Sequence, residues 1–263
     1  DFDNSAGFFN QREYGPYNLI YRGRVIIDKR NKPHEHIRDI SYVPNDKLHV
    51  IEGYGRCNKP GESMFYGSFN FATACIETLT RGEEFRTTGS AMVTIGTWKF
   101  ETPLTFAQMP LSKRYLKLFY ETVSYKSKRL TDEAIEQRNA HVTKMLPTAL
   151  DYEILQFFGD AFAKFDIKSE EDYYLSNYYT DRVFNRIKGF TVAPVDGILY
   201  PSVPNSYEEF NLVMQPRTVD GSLKFIEGMQ VWVISHLDRG GGGEFIPIAQ
   251  RAKLDSEGNI KWH

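Results

Sequence analysis

The sequence predicts an α+β fold in which a helical block interrupts a strand-rich core. Three observations carry this expectation. Strand-like segments with one short helix fill the first third, apolar residues recur at helical spacing through the middle, and strands return afterwards. No GxGxxG follows a strand, so a dinucleotide-binding βαβ unit is not supported.

The elements follow in order. Asn18 to Ile27 alternates as a strand does, and Ser90 to Trp98 (SAMVTIGTW), rich in Val, Ile and Thr, makes another. Between them Phe69 to Leu79 fits a short helix. Ala72, Cys75, Ile76 and Leu79 form one apolar stripe on it, and Ser68 suits the N-cap. Glu77 falls about 140° from Ala72 at ~100° per residue, off the stripe, projecting into a cleft or into water. Asp132 to Met145 predicts a helix ending near Pro147, because proline disfavours the helical conformation before it. Ile154, Leu155, Phe158, Ala161, Phe162 and Phe165 make the apolar face of the next helix. Ser169 followed by Asp172 marks a third helix start, with an end at about Ile187. Strands then return at Gly197 to Tyr200, Glu209 to Met214, Gln230 to Ser235 and Phe245 to Gln250. The run Gly240 to Gly243 reads as the hairpin loop between the last two. The expectation is one domain over residues 1–263, with a helical insertion about 126–188 and a C-terminal strand hairpin region about 222–263.

Composition excludes several function classes. A chain of 263 residues with 41% hydrophobic and 25% charged residues can build a core without disulfides or metal. Most of its 16 Tyr and 19 Phe therefore read as core or half-buried surface rather than as ligand contacts. A formal net charge of −2 gives no global field for nucleic-acid phosphates. The cluster Lys126, Lys128 and Arg129, followed by Asp132, Glu133 and Glu136, reads as a solvated helix entry. Cys57 and Cys75 are too few for a disulfide framework or a four-ligand zinc site, so reduced thiols and a cytoplasmic location are expected. No apolar stretch approaches the ~20 residues of a membrane span, and no charged-then-apolar leader is seen. His34 and His36 lack further ligands at metal spacing and read as a surface loop. Neither a metal nor a bound cofactor is expected.

The chemistry-bearing segment is Gly55 to Glu77, GRCNKPGESMFYGSFNFATACIE. Arg56 lies in a glycine-rich turn closed by Pro60 and Gly61. There its planar fork suits a phosphate, the alternative being a solvated arginine on a surface turn. For Glu77 the alternative is an ordinary solvent-facing helical glutamate. Cys57 as a nucleophile would need a partnered histidine, and no spacing ties His34 or His36 to it.

In order along the chain, YRGR at Tyr21 to Arg24, GRCNKPG, FYGS, ATACIE, then DGILYPSV and NLVMQP between Asp196 and Pro216, resemble the RES-domain family. That family is named for an Arg, a Glu and a Ser, matched here by Arg56, Glu77 and Ser202. Tyr66 falls on the family's active-site tyrosine and Arg22 on the arginine near the first strand. The resemblance implies an ADP-ribosyltransferase-like split β core and chemistry at the nicotinamide–ribose bond of NAD, which is substrate rather than cofactor. It implies hydrolysis or phosphorolysis of NAD, or ADP-ribosylation of a protein. It further implies a bacterial toxin or defence effector with an antitoxin or immunity protein as partner, and leaves an oligomer open. In that scheme Glu77 stabilises the ribosyl cation and Tyr66 flanks the ribose. Arg56 and Arg22 hold the pyrophosphate, Ser202 bonds the ribose or carboxamide, and Asn58 gives polar support. The sequence departs from the family in three places: the long Glu77 to Ser202 interval, Cys57 where an aromatic is common, and the region after Arg217. A non-catalytic interaction module of the same fold is the reading from another class. Retention of Arg56, Tyr66, Glu77 and Ser202 argues against it.

Overall fold

The computed structural model describes residues 11–14, 18–26, 32–79, 90–122, 131–146, 148–185, 195–205, 207–235 and 243–263. Ile27, Lys126, Lys128, Arg129, Pro147, Ile187 and Gly240 to Gly242 lie outside them.

Ten strands form one sheet in the order β1-β5-β6-β7-β3-β2-β4-β8-β9-β10. They are β1 (Gln11–Tyr14), β2 (Leu19–Val25), β3 (Phe65–Ser68), β4 (Ser90–Phe100), β5 (Leu104–Gln108), β6 (Gly197–Pro201), β7 (Phe210–Met214), β8 (Leu223–Ser235), β9 (Gly243–Leu254) and β10 (Ile260–Trp262). Among the described residues every pairing is antiparallel except β5 with β6. The helices are α1 (Ile37–Ile40), α2 (Phe71–Leu79), α3 (Lys113–Thr122), α4 (Asp132–Met145), α5 (Ala149–Ala163), α6 (Tyr174–Phe184) and α7 (Pro216–Ser222). The α+β class therefore holds. The strands follow one hydrogen-bonded order that narrows at the middle, where β2 and β3 share the pair Tyr21–Ser68.

A parallel pair cannot be joined by a tight turn and needs a crossover connection. Helices α3 to α6 supply it between β5 and β6. The helical block is thus the topological link of the β5–β6 pairing, with α3 as its first helix. Thr131 caps α4 by accepting from Ala134 N at 3.2 Å. Thr148 and Asp151 form a capping box on α5, and Ser169 and Asp172 form the expected one before α6. The turn after Ser169 is a short 3₁₀ helix, Glu170–Tyr173, before α6 proper.

Period-2 alternation divides the buried side chains between the two faces of the sheet. On one face Ile20, Phe65, Trp98, Phe106 and Leu212 pack with Ile40 of α1 and Val219 of α7. On the other, Ile198, Tyr200 and Val213 meet Leu155, Phe158 and Phe162 of α5 and Tyr179 of α6. Beside them Val93, Ile95 and Val231 meet Cys75 and Leu79 of α2. Helix α2 and the crossover block therefore lie side by side on one face. Close approach of α2 to β2 depends on Gly23, where a Cβ would run into the Thr78 hydroxyl.

Candidate functional site

Helix α2 carries Glu77. Its start is set by Asn70 rather than Ser68: Asn70 Oδ1 accepts from Thr73 N at 3.0 Å, as an N-cap does. Ser68 belongs to β3, where its hydroxyl donates to Phe210 O at 3.1 Å and accepts from Asn70 N at 3.2 Å. That strand bond moves the helix start two residues on. The buried face comprises Thr73, Ala74, Cys75 and Leu79, with Ala72 and Ile76 only half-buried. The stripe is thus rotated from the expected one, and the small side chains explain it, because they let α2 settle over Gly23. Burial pushes the Cys75 thiol up to about 12, so it stays protonated and inert.

Glu77 is half-buried and turned toward the sheet. Its Oε1 accepts from Ser202 Oγ at 2.7 Å and from Asn211 Nδ2. Ser202, fully buried just after β6, is held by its own backbone: its N–H donates to Glu209 O and its carbonyl accepts from Tyr207 N, both at 2.8 Å. Asn205 crosses from the same turn to Thr73 Oγ1 at 2.8 Å, so the turn and α2 are tied at two points. Asn211 sits on β7 opposite Tyr200 and Ser68. Asn211 lies in the NLVMQP segment and has no role among the expected site residues. An amide among apolar strand neighbours was the available signal.

The second cluster is the Gly55 to Asn58 loop and Tyr66. The Tyr66 hydroxyl donates to Asn58 Oδ1 at 2.8 Å and accepts from Cys57 N at 3.0 Å. Gly55 N donates to Asn58 O at 2.9 Å, and Asn177 of α6 donates to Gly55 O at 2.6 Å. A Cβ at Gly55 would strike Asn58 Oδ1, so a larger residue there would displace the Asn58 side chain from the Tyr66 hydroxyl. Cys57 is fully buried among Met64, Leu155 and Phe162, which fits packing rather than a nucleophile.

Arg56 does not stand in open solvent. Its Nη1 donates to Phe162 O at 2.7 Å and Ala161 O at 3.4 Å, and its Nη2 to Lys164 O at 2.7 Å. These are carbonyls left without intrahelical partners at the C-terminus of α5, where the helix dipole also favours a cation. Ala163 O, the remaining member of the run, accepts from Tyr207 OH at 2.6 Å. The end of α5 thereby anchors both the Arg56 loop and the Ser202 turn.

Arg22 is placed away from this group. Buried on β2, it donates from Nη1 to Tyr66 O at 2.6 Å and from Nε to Ser41 O at 3.1 Å. Its guanidinium lies 5.0 Å from the Phe65 ring, on the face opposite α2. It joins α1 to β3 beside the narrow β2–β3 junction.

The Glu77 and Tyr66 clusters are close neighbours. Tyr66 and Ser68 share a face of β3 two residues apart, a step of roughly 6.6 Å, and Ser68 is the register partner of Asn211. Asn211, one of the two donors to Glu77, thus sits one strand across and one side-chain step along from Tyr66 on the same face. The structure brings together Glu77 with Ser202, and Tyr66 with Asn58. It adds Asn211 and turns Arg56 toward α5.

The two histidines have separate local roles. His34 Nδ1 lies 2.9 Å from Thr94 Oγ1, and burial lowers its pKa. His36 caps α1 by accepting from Arg38 N at 3.0 Å. Among the described residues no group of three His, Cys, Asp or Glu comes together as metal ligands. A groove of about 1310 Å³ lies on the opposite face, bordered by Arg38, Tyr42, Trp98, Asp220 and Lys224. It contains none of the six expected site residues. There Tyr42 OH donates to Asp220, and burial with that bond pushes the phenol up to about 12. Among the described residues no helix is long and apolar enough to cross a membrane.

A family model described as the RES domain matches residues 34–232. A comparison with curated proteins gave no match.

Proposed function

Because the chain belongs to the RES-domain family, we propose that it cleaves the nicotinamide–ribose bond of NAD. Either water or phosphate takes the ribosyl group, and the protein acts in the cytoplasm as a toxin or defence effector. The observation that carries this reading is the Glu77 carboxylate, held by Ser202 and by Asn211, whose register partner Ser68 shares the Tyr66 face of β3.

Breaking the glycosidic bond generates an oxocarbenium-like ribosyl cation. A carboxylate already fixed in orientation stabilises that charge without reorganising as it develops. Glu77 has this property, because two donors hold Oε1. Ser202, buried beneath it, acts on the carboxylate rather than on the ribose or carboxamide. Tyr66 presents its ring on the same face, where a flat cationic nicotinamide would be flanked. Asn58 fixes the Tyr66 hydroxyl. The bonds of Arg56 to α5 use Nη1 and Nη2, which leaves its Nε edge as the element that would meet the pyrophosphate. Arg22 is assigned to holding β3 rather than phosphate.

The ADP-ribosyltransferase-like split core finds support in the narrow β2–β3 junction. Transfer to a protein acceptor uses the same cation and differs only in the nucleophile that reaches it. An antitoxin or immunity protein is part of the same proposal.

The deciding experiment incubates the purified protein with NAD, with and without phosphate, and follows nicotinamide, ADP-ribose and ADP-ribose 1″-phosphate. Phosphate-independent release indicates hydrolysis, and phosphate-dependent release indicates phosphorolysis. No nicotinamide under either condition counts against the proposal and in favour of an interaction module.

A further inference from the structure

Among the described residues Tyr207 is the one non-glycine residue with a left-handed backbone, at φ 62°. A bulky side chain holds that conformation only where its surroundings enforce it, and a turn needing geometry alone would take glycine. Here the surroundings act through three helices of the crossover block. The buried ring meets Phe119 of α3 edge-on, with centroids 5.4 Å apart. The carbonyl accepts from Arg138 of α4 at 3.3 Å, and the same nitrogen reaches Glu208 O at 2.8 Å. The hydroxyl donates to Ala163 O at the end of α5 at 2.6 Å. In the other direction, Tyr207 N–H donates to the carbonyl of Ser202 at 2.8 Å, and Ser202 grips Glu77.

Resting on the NAD reading above, we propose that Tyr207 is a positioning residue through which the helical block sets Ser202, and with it the Glu77 carboxylate. It acts through Ser202 and has no contact with substrate. The strained backbone aims the Tyr207 N–H back at the Ser202 carbonyl. The ring, carbonyl and hydroxyl then lock that direction to α3, α4 and α5. The block is therefore a structural part of the site, and a shift of α5 reaches Glu77 through two residues.

Tyr207→Phe keeps the ring and removes the bond to Ala163 O. Arg138→Met removes the hold on the Tyr207 carbonyl. Nicotinamide release is measured for the wild type, Tyr207→Phe, Ser202→Ala and the double variant. The expected result is a kcat reduced roughly 5- to 30-fold in Tyr207→Phe with KM for NAD unchanged, and no further loss when Ser202 is already Ala. An equal fold loss in both backgrounds would overturn the proposal, since a mere packing role predicts that. Crystal structures of Tyr207→Phe and Arg138→Met give a readout independent of turnover. Ser202 Oγ should leave its 2.7 Å contact with Glu77 Oε1, and retention of that contact in both variants overturns the proposal. If the wild type releases no nicotinamide, the NAD reading fails, and the crystal structures alone decide the role of Tyr207.

Discussion

Ser202 donates its hydroxyl to Glu77 Oε1 at 2.7 Å across 125 residues of chain, and Asn211 donates to the same oxygen from the neighbouring strand. Two donors from the sheet give the carboxylate one orientation, and both are buried, with Ser202 fully so and Asn211 4% exposed.

Asn211→Ala tests whether that orientation matters. A hydrogen bond to a charged group contributes about 1.5–3 kcal/mol, so kcat for nicotinamide release should fall roughly 10- to 150-fold, with KM for NAD little altered. Steady-state kinetics check this, and an unchanged kcat removes Asn211 from the site.

Arg56→Ala should act first on stability. The substitution leaves the C-terminal carbonyls of α5 without their donor and frees the Gly55 loop from the helix. A loss of about 1–3 kcal/mol in urea unfolding is expected, together with weaker NAD binding. Unchanged stability argues against the capping role, and unchanged NAD affinity removes Arg56 from the phosphate site.

Much of this site was legible in order but not in partnership. Helix α4 has the expected bounds, Asp132 to Met145, because a capping threonine and a proline mark its ends. The Ser169–Asp172 box is as read. Helix α3 and strand β5 went unread: β5 is only five residues long, and its pairing with β1 and β6 joins segments about 90 residues apart. Glu77 read as an off-stripe glutamate with two options, and only the folded turn at Ser202 decides between them. The role of Arg56 was out of reach, since its acceptors are backbone carbonyls 105 to 108 residues on. Carbonyls carry no sequence signature. Tyr207 gave no signal either, because an unfavourable backbone angle is a property of the packed structure.

Acid should loosen the link between α5 and α6. The Lys164 ammonium, with backbone N–H groups of Lys168 and Ser169, holds the Asp172 carboxyl below its ordinary 3.8, at about 2. A carboxyl depressed on folding contributes stability that is present above its unfolded pKa. The contribution is lost as pH falls through the folded value. The window is therefore pH 3.8 down to about 2. Lys164 also offers its carbonyl to Arg56, so the loss is transmitted to the Gly55 loop. In Asp172→Asn the stability curve should be flatter over that window, and an identical acid limb in variant and wild type rules the ion pair out as its source.

Glu77→Gln separates charge from shape. Glutamine fills the same volume, and its carbonyl oxygen can still accept from Ser202 and Asn211, so α2 and the Ser202 turn should stay where they are. What disappears is the negative charge. If that charge stabilises the ribosyl cation, turnover should drop at least roughly 100-fold, the scale of losing a pre-organised electrostatic group. NAD binding should remain within a few-fold, because the ground-state contacts to pyrophosphate and base are untouched. Calorimetric titration with NAD and nicotinamide release on the same preparation read the two quantities separately. A variant that turns over at the wild-type rate would show that the carboxylate held by Ser202 and Asn211 is a structural feature, and the reaction would need another centre.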